Sequence, residues 1–356
     1  MSAVASAVAS AGADRAFCEA MLPRVSRTFA LCIRLLPEPL RHTVLVAYLL
    51  CRVADTIEDA DRLAPAEKAR LLGGFGGALE RPLEPVADLA AAFAAAATDD
   101  ERLAADADAV LREYARLAPA EREILRPWVQ EMCAGMAEFA AGTDAGGDAA
   151  AGDASVRVLD SVAALDRYCY YVAGTVGHLL TGLFVLHAPV ADPARRARLQ
   201  ALATSFGLGL QLTNIIKDVA DDRRRGWSFV PRDLCGEAGV APEAFLDAEH
   251  RAEAGQVMQA LAAKARAHLD DAIRYCTLLP NRAIGIRAFC LTSVYFAIRT
   301  LARAERDPRL LEAEHKVKIS RGAVYRTVAM TFLVAPSDRL VRWYYRRLGR
   351  TDAALV

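Results

Sequence analysis

Two acidic constellations in this chain of 356 residues have the residue types and spacing to do chemistry. The first is RVADTIEDAD, in which Arg52, Asp55, Glu58, Asp59 and Asp61 follow the apolar run VLVAYLLC. On a helix Asp55, Glu58 and Asp59 lie three and four positions apart and project from one face, where like charges repel unless cations intervene. Clustered hard oxygen donors suit Mg²⁺, which takes a few carboxylates and completes its shell with phosphate oxygens and water. Taken alone, such a cluster reads more plainly as a solvated acidic helix end. The second is LQLTNIIKDVADDRRRGWSFVP, with Gln211, Asn214, Lys217, Asp218, Asp221, Asp222, Arg223, Arg224 and Arg225. Asn214, Asp218 and Asp222 recur every four residues, so they share a helix face that continues an apolar helix. Two such faces looking at each other across a helical cavity would hold several Mg²⁺ ions and a diphosphate between them. The alternative is a structural ion-pair network.

Positioning those faces takes helices, and the chain is built for them. Ala, Leu, Arg and Glu are abundant, apolar residues recur three and four apart, and β-branched alternation is scarce, which predicts an all-α protein. Helices are expected at about 14–36, 38–60, 65–95, 101–117, 119–142, 160–187, 193–222, 242–278, 281–305 and 321–350. Prolines 37, 39, 65, 82, 85, 189, 193, 231, 242 and 280 punctuate that pattern. Residues 1–13 read as a flexible tail and 14–356 as a single helical domain, interrupted by a flexible loop at 141–157 rich in Gly, Ala and Asp. No internal repeat of fixed period is present.

Composition narrows the partners. With 54% hydrophobic and 25% charged residues the chain can bury a large core. Forty-four basic residues balance forty-four acidic ones, so no electrostatic footprint for nucleic acid exists. Eight cysteines without a C-x-x-C pair read as buried thiols in a reducing cytoplasm. The N-terminal residues lack the basic and apolar regions of a secretory signal. The apolar stretches at 42–51 and 178–191 fall short of the roughly 20 residues that span a bilayer. A cytoplasmic protein is expected, touching a membrane only peripherally. VRWYYRRLGR at 341–350 is the candidate interfacial helix, although a surface helix packed on the domain is the plainer reading.

In order along the chain, DTIED, YCYYVAGTVGHLL, LQLTNIIKDVADD and KVKISRG resemble the squalene and phytoene synthase family, over a span from SRTF at 26 to KISRG near 322. That resemblance implies an isoprenoid-synthase helical bundle around a central cavity for two farnesyl diphosphates, with Mg²⁺ held by Asp55, Glu58, Asp59, Asn214, Asp218 and Asp222. It places Ser26, Arg27, Arg52, Lys217 and Arg225 on the diphosphates, Gln211 on a polar wall, and Tyr48 and Tyr168 in the cavity. Tyr48, Tyr168, Asp55, Asp59, Asp218 and Asp222 form the implied catalytic set. Lys318 and Arg321 match the segment that helps bind NADPH. The implied activity is that of a farnesyl-diphosphate farnesyltransferase: condensation to presqualene diphosphate, then NADPH-dependent reduction to squalene. An enzyme of the same fold could instead stop at presqualene diphosphate, make dehydrosqualene or phytoene, or prenylate another acceptor. A non-catalytic helical scaffold is disfavoured by the two intact acidic motifs.

Three positions depart from the family pattern. Ser320 stands at a usually basic position, Lys217 where arginine is usual, and Trp227 where an arginine follows glycine; Arg223, Arg224 or Arg225 could compensate. Gly174 and Gly177 imply either tight helix packing or a smooth wall for a prenyl chain, and His178 reads as a core histidine.

Overall fold

The computed structural model describes residues 2–142, 156–188, 190 and 192–350, which gather into two compact units. Most of the loop expected at 141–157 lies outside the described residues.

The first unit comprises the chain up to Ala141 together with His178–His187. Its helices are α1 (Ser2–Val25), α2 (Arg27–Ile33), α3 (Leu40–Asp59), α4 (Pro65–Ala78), α5 (Ala87–Ala92), α6 (Asp99–Ala105), α7 (Ala107–Arg116) and α8 (Pro119–Ala141). α3 is the central one, packing against α1, α2, α4, α6, α7 and α8. Its residues from Thr43 to Ala47 are all buried, as are Leu49, Leu50 and Cys51, because neighbours surround it on every side. Each such aliphatic side chain contributes roughly 1.5–3 kcal/mol by burial. After Arg41 in its first turn, only its last two turns carry charged residues that include acids, so the apolar part of the helix holds the acidic part in place. A polar knot also locks this unit: Glu121 accepts from Thr43 Oγ1 at 2.7 Å and lies 2.9 Å from His187 Nε2.

The second unit comprises Gly142–Gly177 and Ala188–Val356. It holds β1 (Arg157–Val158), α9 (Val162–Cys169), the start of α10 (Thr175–His187), α11 (Pro193–Arg224), β2 (Trp227–Ser228), α12 (Arg232–Ala238), α13 (Arg251–Leu278), α14 (Ile284–Ala304), α15 (Arg321–Val334) and α16 (Asp338–Arg350). α11 packs along α13 and against α14. Between α9 and α10 the helix widens into a π turn over Tyr170–Gly174, which also packs on α11. Here two glycines do a steric job. A Cβ on Gly177 would stand 2.0 Å from the Ala203 carbonyl oxygen, and one on Gly207 would stand 2.1 Å from that of Ala173. The helices touch backbone to backbone, which favours the packing reading of Gly177.

Some elements differ from the sequence expectation. The helix expected at 14–36 breaks at Ser26, the helix at 65–95 breaks after Ala78, and the helix at 321–350 breaks after Val334. α12 and the parallel pair β1–β2, with Arg157 opposite Trp227, were not expected; two-residue strands carry no periodicity to read. Two stretches, Val162–His187 and Ile284–Ala304, are long and apolar enough to cross a membrane by length and composition, which corrects the expectation that no stretch reaches that length. The first gains its length because α9, the π turn and α10 run on continuously. In the second, 78% of the apolar window is buried within the fold, as in a core helix.

Candidate active site

The first acidic motif occupies the end of α3, where the helix leaves its apolar surroundings. Arg52 donates from Nε to Asp100 Oδ1 at 2.8 Å and places Nη1 3.7 Å from Asp55 Oδ2. Asp100 belongs to the first turn of α6, which begins with a capping box between Thr98 and Glu101. Burial pushes the Asp55 carboxyl up to about 7, and the carboxylates of Asp59 and Asp100 push the same way against the opposing pull of Arg52. A third of the Asp55 side chain nevertheless stays open, at 33% exposure. A recessed carboxyl short of positive charge yet open on one side is suited to take a cation. Glu58 is half-buried beside it, Asp59 is exposed, and the Glu58 carbonyl accepts from Lys68 Nζ at 2.5 Å.

α2 delivers the neighbouring polar groups. Ser26 is its N-cap, accepting from the Phe29 amide at 3.1 Å, and Arg27 is exposed at its first residue. The half-buried Tyr48 ring packs 5.3 Å from Phe29. Burial pushes its phenol up to about 12, while the Ser26 hydroxyl and Arg52 pull the other way. Tyr48 is therefore a neutral hydroxyl with an aromatic face at physiological pH.

The second motif lies along α11. Asn214 is exposed and Gln211, Asp218 and Asp222 are half-buried. Lys217 pairs with Asp218, so the lysine neutralises a member of the motif itself. Asp221 points elsewhere. It is held below the usual carboxylate range by Lys316 Nζ at 2.7 Å and by Arg224, against burial. Arg223 donates to the Glu243 carbonyl at 2.7 Å, whereas Arg225, exposed at the end of α11, has no side-chain partner among the described residues. Gly226 then turns the chain with φ +80° into β2.

Beyond that turn the tyrosine and the basic segment take their places. Tyr168 is buried and stacks 4.7 Å from Phe229, which stacks 5.6 Å from Trp227. The Arg157 guanidinium sits 4.8 Å over the Trp227 ring, so an arginine from the neighbouring strand lies beside the position where the sequence has tryptophan. Arg321 is exposed at the first residue of α15, and Lys318 is exposed in the segment just before it. Ser320 is the α15 N-cap and accepts from the Ala323 amide at 3.2 Å. Its hydroxyl holds the helix start, and Lys316 ties the same segment to Asp221.

Sequence reasoning missed Asp100, Lys316, Arg157 and Phe229. Only Asp100 carried a readable signal, the capping box T-D-D-E that places acids in a first helical turn. Among the described residues no three His, Cys, Asp or Glu side chains close into a preformed metal cage.

Helices carrying carboxylates, arginines and buried phenols, almost without strand, define an all-α terpenoid-synthase fold. A dehydrosqualene synthase structure shares it, with a TM-score of 0.65 at 19% identity over 94% of this chain and 98% of that one. The squalene/phytoene synthase family profile matches residues 22–323, and the chain belongs to that family. It is 30% identical to the squalene synthase of Eremothecium gossypii over 85% of this chain, and 29% identical to that of Mus musculus over 92%. The chain spans 64% of the length of the first relative and 72% of the second. A solved structure of TcSQS with a bound ligand superposes with a TM-score of 0.78 at 29% identity, covering 96% of this chain and 93% of that one.

Proposed function

We propose that the chain is a squalene synthase, joining two farnesyl diphosphates head to head into presqualene diphosphate and then reducing that intermediate with NADPH to squalene. The observation that carries this reading is sustained identity with squalene synthases, 30% over 85% of the chain in one case and 29% over 92% in another. Both acidic motifs lie within the matched span.

Mg²⁺ would be held by Asp55, Glu58 and Asp59 and by Asn214, Asp218 and Asp222, where it supplies Lewis-acid neutralisation of the departing diphosphate. Arg52, fixed by Asp100, presents a planar fork to phosphate oxygens. Ser26, Arg27, Lys217 and Arg225 add donors, and Gln211 a polar wall. Tyr48 and Tyr168 offer aromatic faces to the allylic cation without a competing anion. One substrate loses diphosphate, its C1 cation is captured by the alkene of the other, and a proton leaves as the cyclopropane closes. Lys318 and Arg321 would hold the phosphates of NADPH, whose hydride the second half requires as the remaining diphosphate departs.

The test is incubation with farnesyl diphosphate and Mg²⁺, with and without NADPH, and identification of products by gas chromatography and mass spectrometry after phosphatase treatment. Squalene formed only with NADPH is the expected result. Dehydrosqualene or presqualene alcohol regardless of NADPH would overturn the reductive half and leave the condensation standing.

A further inference from the structure

The α15–α16 hairpin carries an outward surface that the proposed chemistry does not use. α16 turns Val341, Tyr344, Tyr345 and Leu348 inward. Tyr295 fastens it, donating to the Val341 carbonyl at 3.1 Å and meeting the Tyr344 ring edge-on at 5.0 Å. The helix's single acid, Asp338, is also spent inward, bonded to the fully buried Arg287 at 2.7 Å. What remains outside is a shallow groove lined by Arg339, Arg342, Trp343, Arg346, Arg347 and Arg350. The Arg347 guanidinium lies 5.9 Å over the Trp343 ring.

Apolar side chains accompany these cations. On either side of the turn at 335–337, Phe332 and Leu333 end α15 while Leu340 and Trp343 begin α16, and their exposures are 45%, 68%, 45% and 50%. Large apolar groups are costly to leave in water, and the arginines that share α16 with Leu340 and Trp343 favour an anionic partner.

We propose that this face docks on an anionic phospholipid surface, its arginines on headgroup phosphates and its apolar residues in the acyl boundary. The pairing of a cationic arc with exposed Leu, Phe and Trp is what an interfacial helix needs. A second copy of the chain is the poorer occupant, because a two-fold interface would set this arginine arc against itself.

Flotation of the full chain with vesicles of phosphatidylcholine alone, or with roughly a third phosphatidylglycerol, tests this. The native chain should float only with the anionic vesicles, and the association should fall steeply in about 0.5 M salt. The variant Arg342→Gln/Arg346→Gln/Arg347→Gln should partition about a hundred-fold more weakly. Leu333→Ser/Trp343→Ser should also weaken partitioning, and both variants should keep the native circular dichroism and thermal midpoint because the altered side chains are exposed. Equal flotation with neutral vesicles, no flotation, or variants that float like the native chain would overturn the proposal. So would a lipid-free dimer, seen by sedimentation, that the same variants dissociate. The readout is binding alone, so its failure leaves the proposed condensation untouched.

Discussion

Asp55 is the carboxyl on which the first motif turns, because it is recessed, flanked by two further acids and only partly offset by Arg52. In the metal-free protein its folded form keeps a proton up to about pH 7, against an ordinary value of 3.8. The folded state therefore binds more protons between those values, so this group's contribution to stability falls as pH rises from about 4 to 7 and is flat above. Differential scanning fluorimetry should show that slope in the native chain and its loss in Asp55→Asn. Mg²⁺ needs the carboxylate, so its stabilising effect should grow from about pH 6 to 8 in the native chain and be absent in the variant. The two basic-segment residues separate in the same way. Ser320→Ala should cost about 1 kcal/mol in urea unfolding through loss of the cap. Lys318→Ala should leave unfolding unchanged and raise the KM for NADPH. The acidic faces were legible because spacing of three and four fixes which side chains share a helix face. The pairings of Asp100 with Arg52 and of Lys316 with Asp221 were not, because ion pairs between distant segments leave no local pattern.

At the scale of elements, most helices were readable from apolar periodicity, while their breaks were not. A π turn at Tyr170–Gly174 adds one residue to a turn without ending the helix, so the apolar run reads as one continuous helix there. α11 packs on this stretch backbone to backbone, through Gly207 at Ala173 and through Ala203 at Gly177. Gly177→Ala should therefore cost about 3 kcal/mol or more, since a backbone carbonyl has to move to admit the methyl group. Gly255→Ala in α13 is the contrast, because nothing lies within 4 Å of its added Cβ, and it should stabilise the chain by about 0.5–1 kcal/mol. Chemical denaturation of the two variants checks both signs. Ser320 shows the same limit of local reading, for a position that looked like a missing cation is a helix cap.

On the scale of the whole molecule, the charge balance that excluded a polyanion partner conceals an uneven distribution. Within the second unit Arg287 is the tie for α16, fully buried and bonded to the Leu279 carbonyl, Asn281 Oδ1 and Asp338 Oδ1. Asp338→Ala should cost about 3 kcal/mol by leaving that guanidinium short of its counter-charge. Adding Arg287→Met to the same chain should recover part of the loss, read by thermal unfolding.

Seven arginines and one aspartate fall within residues 321–350, so the rest of a chain with zero net charge carries a surplus of six acids. The α15–α16 hairpin is thus a local concentration of positive charge in a chain with no net charge. At its isoelectric point of about 7.0 the protein should still be retained on a cation-exchange column at low salt, oriented with that hairpin against the resin.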